Sequence, residues 1–150
     1  MHRRNLLTAA LGALGVMTPA AIKRAGAAER AAPDRQKVVY HLADLDKVAF
    51  VLGNIRNHFD GAGGPEHVTI ALVVHGPALK AFQASGANPD MEKRVAEFSR
   101  AGLEMNACGN TMRATHITLV DLLPGFIAAE QGGVVRLAEL QGRGYVYLRP

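Results

Sequence analysis

Two kinds of hydrophobic pattern alternate along the chain. Lys37-Val38-Val39-Tyr40-His41-Leu42 and His67-Val68-Thr69-Ile70-Ala71-Leu72-Val73-Val74-His75-Gly76 are apolar nearly throughout, without the in-out alternation of a one-sided sheet, and read as buried strands. Between them Val48, Val51, Leu52, Ile55 and Phe59 recur at three-to-four spacing. That spacing predicts an amphipathic helix, capped by Asp44 or Asp46 and ended by Asp60-Gly61. Strand, helix and strand in this order form a βαβ unit, the element of a parallel sheet.

The same alternation continues. Pro77 to Phe82 reads as a short helix and Gln83 to Asn88 as a loop, and Pro89 stands just inside a helix that runs to Ala101 with Met91, Val95 and Phe98 inward and Gly102 behind it. Leu103 to Ala107 is a third strand, Cys108-Gly109 a turn, and Asn110 or Thr111 the start of a short helix. Thr118, with Asp121 three residues on, predicts a further helix ending at Leu123-Pro124-Gly125. Phe126 to Ala129 is a fourth strand, and Gly132-Gly133 opens a last helix carrying Val134, Leu137, Ala138 and Gln141. Tyr145 to Leu148 closes the pattern as a fifth strand. Short connections between alternating strands and helices predict an α/β fold, a three-layer α/β/α domain with a mostly parallel sheet of about five strands.

The first residues follow a different logic. Met1-His2-Arg3-Arg4-Asn5 is a charged start, Leu6 to Ile22 is apolar and small, and Ala25-Gly26-Ala27 suits a signal peptidase. The expected organisation is an export signal over residues 1–27, a linker over 28–36 and a domain over 37–150. Arg3-Arg4 followed by Leu6-Leu7, with Lys23-Arg24 before the cleavage point, points to the twin-arginine route and a periplasmic location. Gly12, Gly15 and Pro19 interrupt the apolar run, so a stable membrane anchor is not expected. Charge changes meaning once this segment is set apart. Of the 17 Lys and Arg, four lie before Ala28 and none of the 13 acidic residues does, which leaves 13 against 13 and no basic surface for nucleic acid.

The chain has a single cysteine, so no internal disulfide can form, and the thiol is inert, paired with another chain, or free to work. Walker loops, Gly-x-Ser-x-Gly elbows, His-Glu-x-x-His and Cys-x-x-Cys are absent, and Gly61-Ala62-Gly63-Gly64 follows a helix rather than a strand. No cofactor is expected. Ligand sites of open parallel sheets lie beyond the carboxyl ends of the strands, where His41, His75 and Cys108 fall on strands one, two and three. Cys108 also precedes a helix start, whose free N–H groups favour a thiolate. His58, His67 and His116 read as surface residues, and Met105 and Met112 as core.

Several segments together resemble the DsrE/DsrF-like family of small sulfur-relay proteins. They are Val38 to Leu42, Val73-Val74-His75-Gly76-Pro77-Ala78-Leu79, Ala107-Cys108-Gly109-Asn110-Thr111-Met112, Asp121-Leu122-Leu123-Pro124-Gly125, and Leu140 to Pro150. The resemblance implies the α/β/α layers, homo- or hetero-oligomers such as trimers or hexamers, and a persulfide on the cysteine matching Cys108. The partners would be sulfur donor and acceptor proteins or small sulfur compounds. Gly109 would permit close approach, the N–H groups of Asn110 and Thr111 would stabilise the negative sulfur, and His75 and His41 would assist proton movement. The best understood members act in the cytoplasm, from which the export signal departs. Two other readings stay open: a Cu(I) site of Cys108, a histidine and Met105 or Met112, and a non-catalytic oligomeric binding module with a buried thiol.

Overall fold

The computed structural model describes residues 35–150, so the expected signal and most of the expected linker lie outside the described residues. Within them, five strands build one sheet: β1 (Gln36–Leu42), β2 (Val68–Val74), β3 (Glu104–Cys108), β4 (Phe126–Ala129) and β5 (Val146–Leu148). Their order is β4-β3-β2-β1-β5, and every neighbouring pair is parallel. Parallel neighbours demand crossovers, which α1 (Val48–Gly61), α2 (Pro89–Arg100), α3 (Gly109–Ala114) and α4 (Gly133–Gly142) supply or extend. The fold is a three-layer α/β/α domain with a parallel five-stranded sheet. Among the described residues, no helix is long and apolar enough to cross a membrane.

Alternate strand residues divide the core in two. Val38, Tyr40 and Leu42 of β1 and Ile70, Leu72 and Val74 of β2 pack with Val51, Leu52 and Ile55 of α1 and Val95 and Phe98 of α2. On the opposite face Val39, Ala71 and Val73 meet Leu137 and Leu140 of α4, with Tyr145. This second layer is one helix wide, and Cys108 and His75 pack against the start of that helix.

Local differences from the sequence expectation have physical causes. Cys108 is the last residue of β3 rather than part of a turn, because its backbone stays extended as it caps α3. Asp44 makes no side-chain cap; a single 3₁₀ turn (Leu45–Lys47) leads into α1 instead. Asn88 is the working cap of α2, its side chain accepting from the Met91 N–H at 2.9 Å. Thr118 and Asp121 do form a reciprocal capping box, but it closes only a 3₁₀ turn (Leu119–Asp121), since Pro124 follows too soon for a helix. Along α4 the inward residues are Gly133, Leu137 and Leu140, and Val134 is 70% exposed. The face is rotated because Gly133, which has no side chain, sits flat against β2 and β3. His58 is half-buried rather than superficial, with Nδ1 2.9 Å from the Tyr40 hydroxyl.

Candidate functional site

Strand register places the chemistry. His41 pairs with Val73, Val73 with Asn106, and Val39 with Tyr147, so His41, His75, Cys108 and Tyr147 share the face that α4 covers. Met105 points the other way and, with Met112, packs into the α1/α2 layer. Both methionines are core residues, as their apolar surroundings in the sequence suggest, and the sheet separates Met105 from Cys108, against the alternative copper reading. Among the described residues, no group of three or more His, Cys, Asp or Glu is arranged to hold a metal ion.

Cys108 is 5% exposed. Burial pushes its thiol pKa up, yet the net shift is downward, because the Thr111 and Gly133 backbone N–H groups, the Thr111 hydroxyl and the Asn110 N–H favour the charged sulfur. The Gly133 N–H lies 3.0 Å from Sγ. The sulfur thus faces the starts of two helices at once, α3 and α4, and gains their positive ends as well as their unpaired donors. Thr111 has a second task. Its Oγ1 accepts from the Gly76 N–H at 2.9 Å, which leaves the hydroxyl proton free for sulfur and ties the end of β2 to the end of β3.

Glycines make this convergence possible. A Cβ on Gly109 would lie 2.9 Å from the carbonyl oxygens of both Ala129 and Glu130, so this glycine admits the backbone that follows β4 rather than an incoming sulfur donor. A Cβ on Gly133 would meet Cys108 Cβ at 3.3 Å and His75 Cβ at 3.4 Å, so the cysteine and the histidine flank the same point of α4. Asn110 turns its side chain to Arg113 and to Gly132, bracing the loop before α4, while its N–H serves the sulfur.

His41 and His75 come together. Their Nε2 atoms are 2.5 Å apart, and His41 Nδ1 is 2.6 Å from the Tyr147 hydroxyl. Burial lowers the pKa of His41 from 6.5 to about 4, helped by the charges of His75 and Arg149 and opposed by Asp44. His75 is lowered for the same reasons, burial first and then Arg149, with Asp44 opposing. Both imidazoles are neutral at neutral pH.

A model of the DsrE/DsrF-like family matches residues 37–150. The chain belongs to the DsrE/DsrF-like family. Among solved structures, the protein of unknown function MTH1491 from Methanobacterium thermoautotrophicum is 27% identical, covering 77% of this chain and 99% of its own at a TM-score of 0.67. The ychN protein from E. coli, 13% identical over 77% of this chain and 99% of its own, and BT1422 from Bacteroides thetaiotaomicron, 14% identical over 76% and 95%, share the fold at TM-scores of 0.54 and 0.56. No curated protein matches.

Three residues around this candidate site in the DsrE-family fold escape the sequence. Gly133 and Tyr147 lie 25 and 39 residues beyond Cys108, and only the crossover of α4 and the pairing of β5 with β1 bring them in. The pair Gly132-Gly133 was the one available signal for the first, since two glycines at a helix start mark a close approach. The other omission is polar: Asn106 is 1% exposed, two residues before Cys108 on the same face. Its Oδ1 accepts from Arg136 Nε at 3.0 Å, and Arg136 pairs with Glu104 at 2.7 Å and Glu139 at 3.1 Å. This network borders a cleft of about 270 Å³ between β4 and α4, walled also by Ile127, Ala129 and Gly132.

Proposed function

We propose that this protein is a sulfur carrier in which Cys108 accepts sulfane sulfur, holds it as a persulfide and passes it to a partner. The observation that carries this reading is a buried sulfur that accepts the Gly133 N–H at 3.0 Å at the start of α4 and itself stands at the N-cap of α3, an arrangement suited to an anion and wasteful for an inert thiol. In the loading step the Cys108 thiolate attacks the outer sulfur of a donor persulfide. A new S–S bond forms at Sγ, the donor S–S bond breaks, and the donor leaves as its thiolate. Release to an acceptor thiolate is the same exchange in reverse, so turnover needs both partners. Gly109, Asn110 and Thr111 shape and charge the cradle; His75 and His41 handle protons.

Family membership supports the relay role and the proposal that the protein assembles as a trimer or hexamer. Exposed Ile127 and Val134, on the side of the sheet that α4 alone covers, are suited to such contacts. The charged start, apolar run and small residues of positions 1–27 support export, by a twin-arginine-type signal, to the periplasm. Donor and acceptor are then exported proteins or small sulfur compounds of that compartment.

The test is alkylation of the native protein as a function of pH. The expected midpoint for Cys108 lies below the ordinary thiol value of 9.0. A midpoint at or above that value, or a thiol that reacts only after denaturant is added, favours a packed cysteine in a binding module and overturns the reading.

A further inference from the structure

The contact between His41 and His75 has a geometry that a packing interaction does not produce. Their ring centroids are 4.7 Å apart and their planes differ by 24°, yet the Nε2 atoms are only 2.5 Å apart. The difference is taken up by the two ring radii, so the rings meet vertex to vertex, nearly coplanar, along one N···N axis. Stacked rings would bring their faces together instead. A vertex-to-vertex contact this close holds one shared proton, donated by one Nε2 and accepted by the other. The chain continues outward, because His41 Nδ1 meets the hydroxyl of Tyr147, which is 38% exposed on β5 at the sheet edge. It ends inward at His75, whose Nδ1 has no hydrogen-bond partner among the described residues; His75 and Cys108 each pack against Gly133 without a hydrogen bond between them.

We propose that Tyr147, His41 and His75 form a tautomeric proton relay between solvent and the Cys108 site, with Tyr147 as the residue that sets its direction. Its use in sulfur transfer rests on the carrier reading above. In the outward sense the proton of the Cys108 thiol reaches His75 Nδ1 through one intervening water, His75 Nε2–H passes to His41 Nε2, His41 Nδ1–H passes to the Tyr147 oxygen, and the Tyr147 hydroxyl proton goes to water. One proton leaves, the sulfur becomes a thiolate, and all three relay groups end neutral with both imidazoles in the opposite tautomer. Return of a proton when the thiol is regenerated restores the starting tautomers, so loading and release reset one another.

Neutrality throughout matches the surroundings. Burial and the Arg149 guanidinium oppose an imidazolium at either ring, Asp44 offsets this in part, and Arg149 and Asp44 are themselves paired at 3.4 Å. A relay that never stores charge works in such a place; a general base that becomes cationic works poorly.

The experiment uses Tyr147→Phe, which removes only an edge-strand hydroxyl, with histidine ¹⁵N NMR and the rate of sulfur loading from polysulfide followed by mass spectrometry. In the native protein His41 stays neutral down to about pH 4, and His75 titrates below the ordinary 6.5. In Tyr147→Phe the tautomer balance of His75 shifts along with that of His41, although Tyr147 bonds only His41, and loading slows about tenfold, less than the ~100-fold of a directly acting acid–base group because water can replace the outermost link. An unmoved His75 tautomer, or a loading rate and pH profile equal to the native ones, overturns the relay. Failure of the carrier reading is separate: native Cys108 then takes no sulfur at all, whatever the imidazoles do.

Discussion

Thr111→Val raises the Cys108 pKa by about one unit, equivalent to about 1.4 kcal/mol, while Thr111→Ser leaves it near the native value. The valine keeps the shape and the helical N–H but removes the hydroxyl that donates to sulfur. It also removes the acceptor of the Gly76 N–H, an unpaired backbone group that costs about 1–3 kcal/mol of stability. The two losses separate by pH. A thiol whose folded pKa is depressed adds stability that is fully present above its unfolded value of 9.0 and is lost as pH falls through the folded pKa. The stability gap between native protein and Thr111→Val therefore widens toward alkaline pH, on top of the constant cost at Gly76. Urea denaturation at several pH values measures it.

Arg136→Leu destabilises the protein by about 2–3 kcal/mol, the cost of stripping partners from buried polar groups, reduced by solvent screening. Asn106, buried and two residues from the thiol, loses the donor to its Oδ1. Glu104 is raised by burial and lowered more by Arg136, with Asn106 assisting, so its net pKa is below the ordinary 4.5. Its pairing stabilises the fold above that value and is lost as pH falls, so the native and Arg136→Leu proteins converge in stability in acid. Arg136 also lies three residues after Gly133 in α4, and its bonds to β3 hold the helix start over the sulfur. Loosening them weakens the Gly133 N–H contact and slows alkylation of Cys108 near neutral pH.

The layers were legible in the sequence because they follow from period alone. The run Val68–Val74, apolar but for Thr69, points to a strand buried on both faces, and Val51, Leu52 and Ile55 point to a helix packed on it. The strand ends are legible too, and they group His41, His75 and Cys108 at one rim of the sheet. What stayed hidden depends on long-range pairing. Tyr147 reaches His41 only because β5 pairs with β1 at the sheet edge, and β5 has three residues and no periodicity to announce its neighbour. Gly109 and Gly133 are visible as flexible residues, but the backbone that the first admits and the side chains that the second admits come from elements 20 or more residues away. The α4 face was misjudged for the same reason: a glycine in contact leaves no apolar mark on the pattern. Asn106, a polar residue inside an apolar strand, was the one local conflict in the sequence, and its explanation lay in Arg136 on another element.

The central claim, that Cys108 carries sulfur, is tested most directly by intact-protein mass spectrometry after exposure to polysulfide under native conditions. The account predicts an added mass of one sulfur on the native protein, removed by a thiol reductant and absent from Cys108→Ser. No adduct on the native protein, or equal labelling of Cys108→Ser, would contradict it.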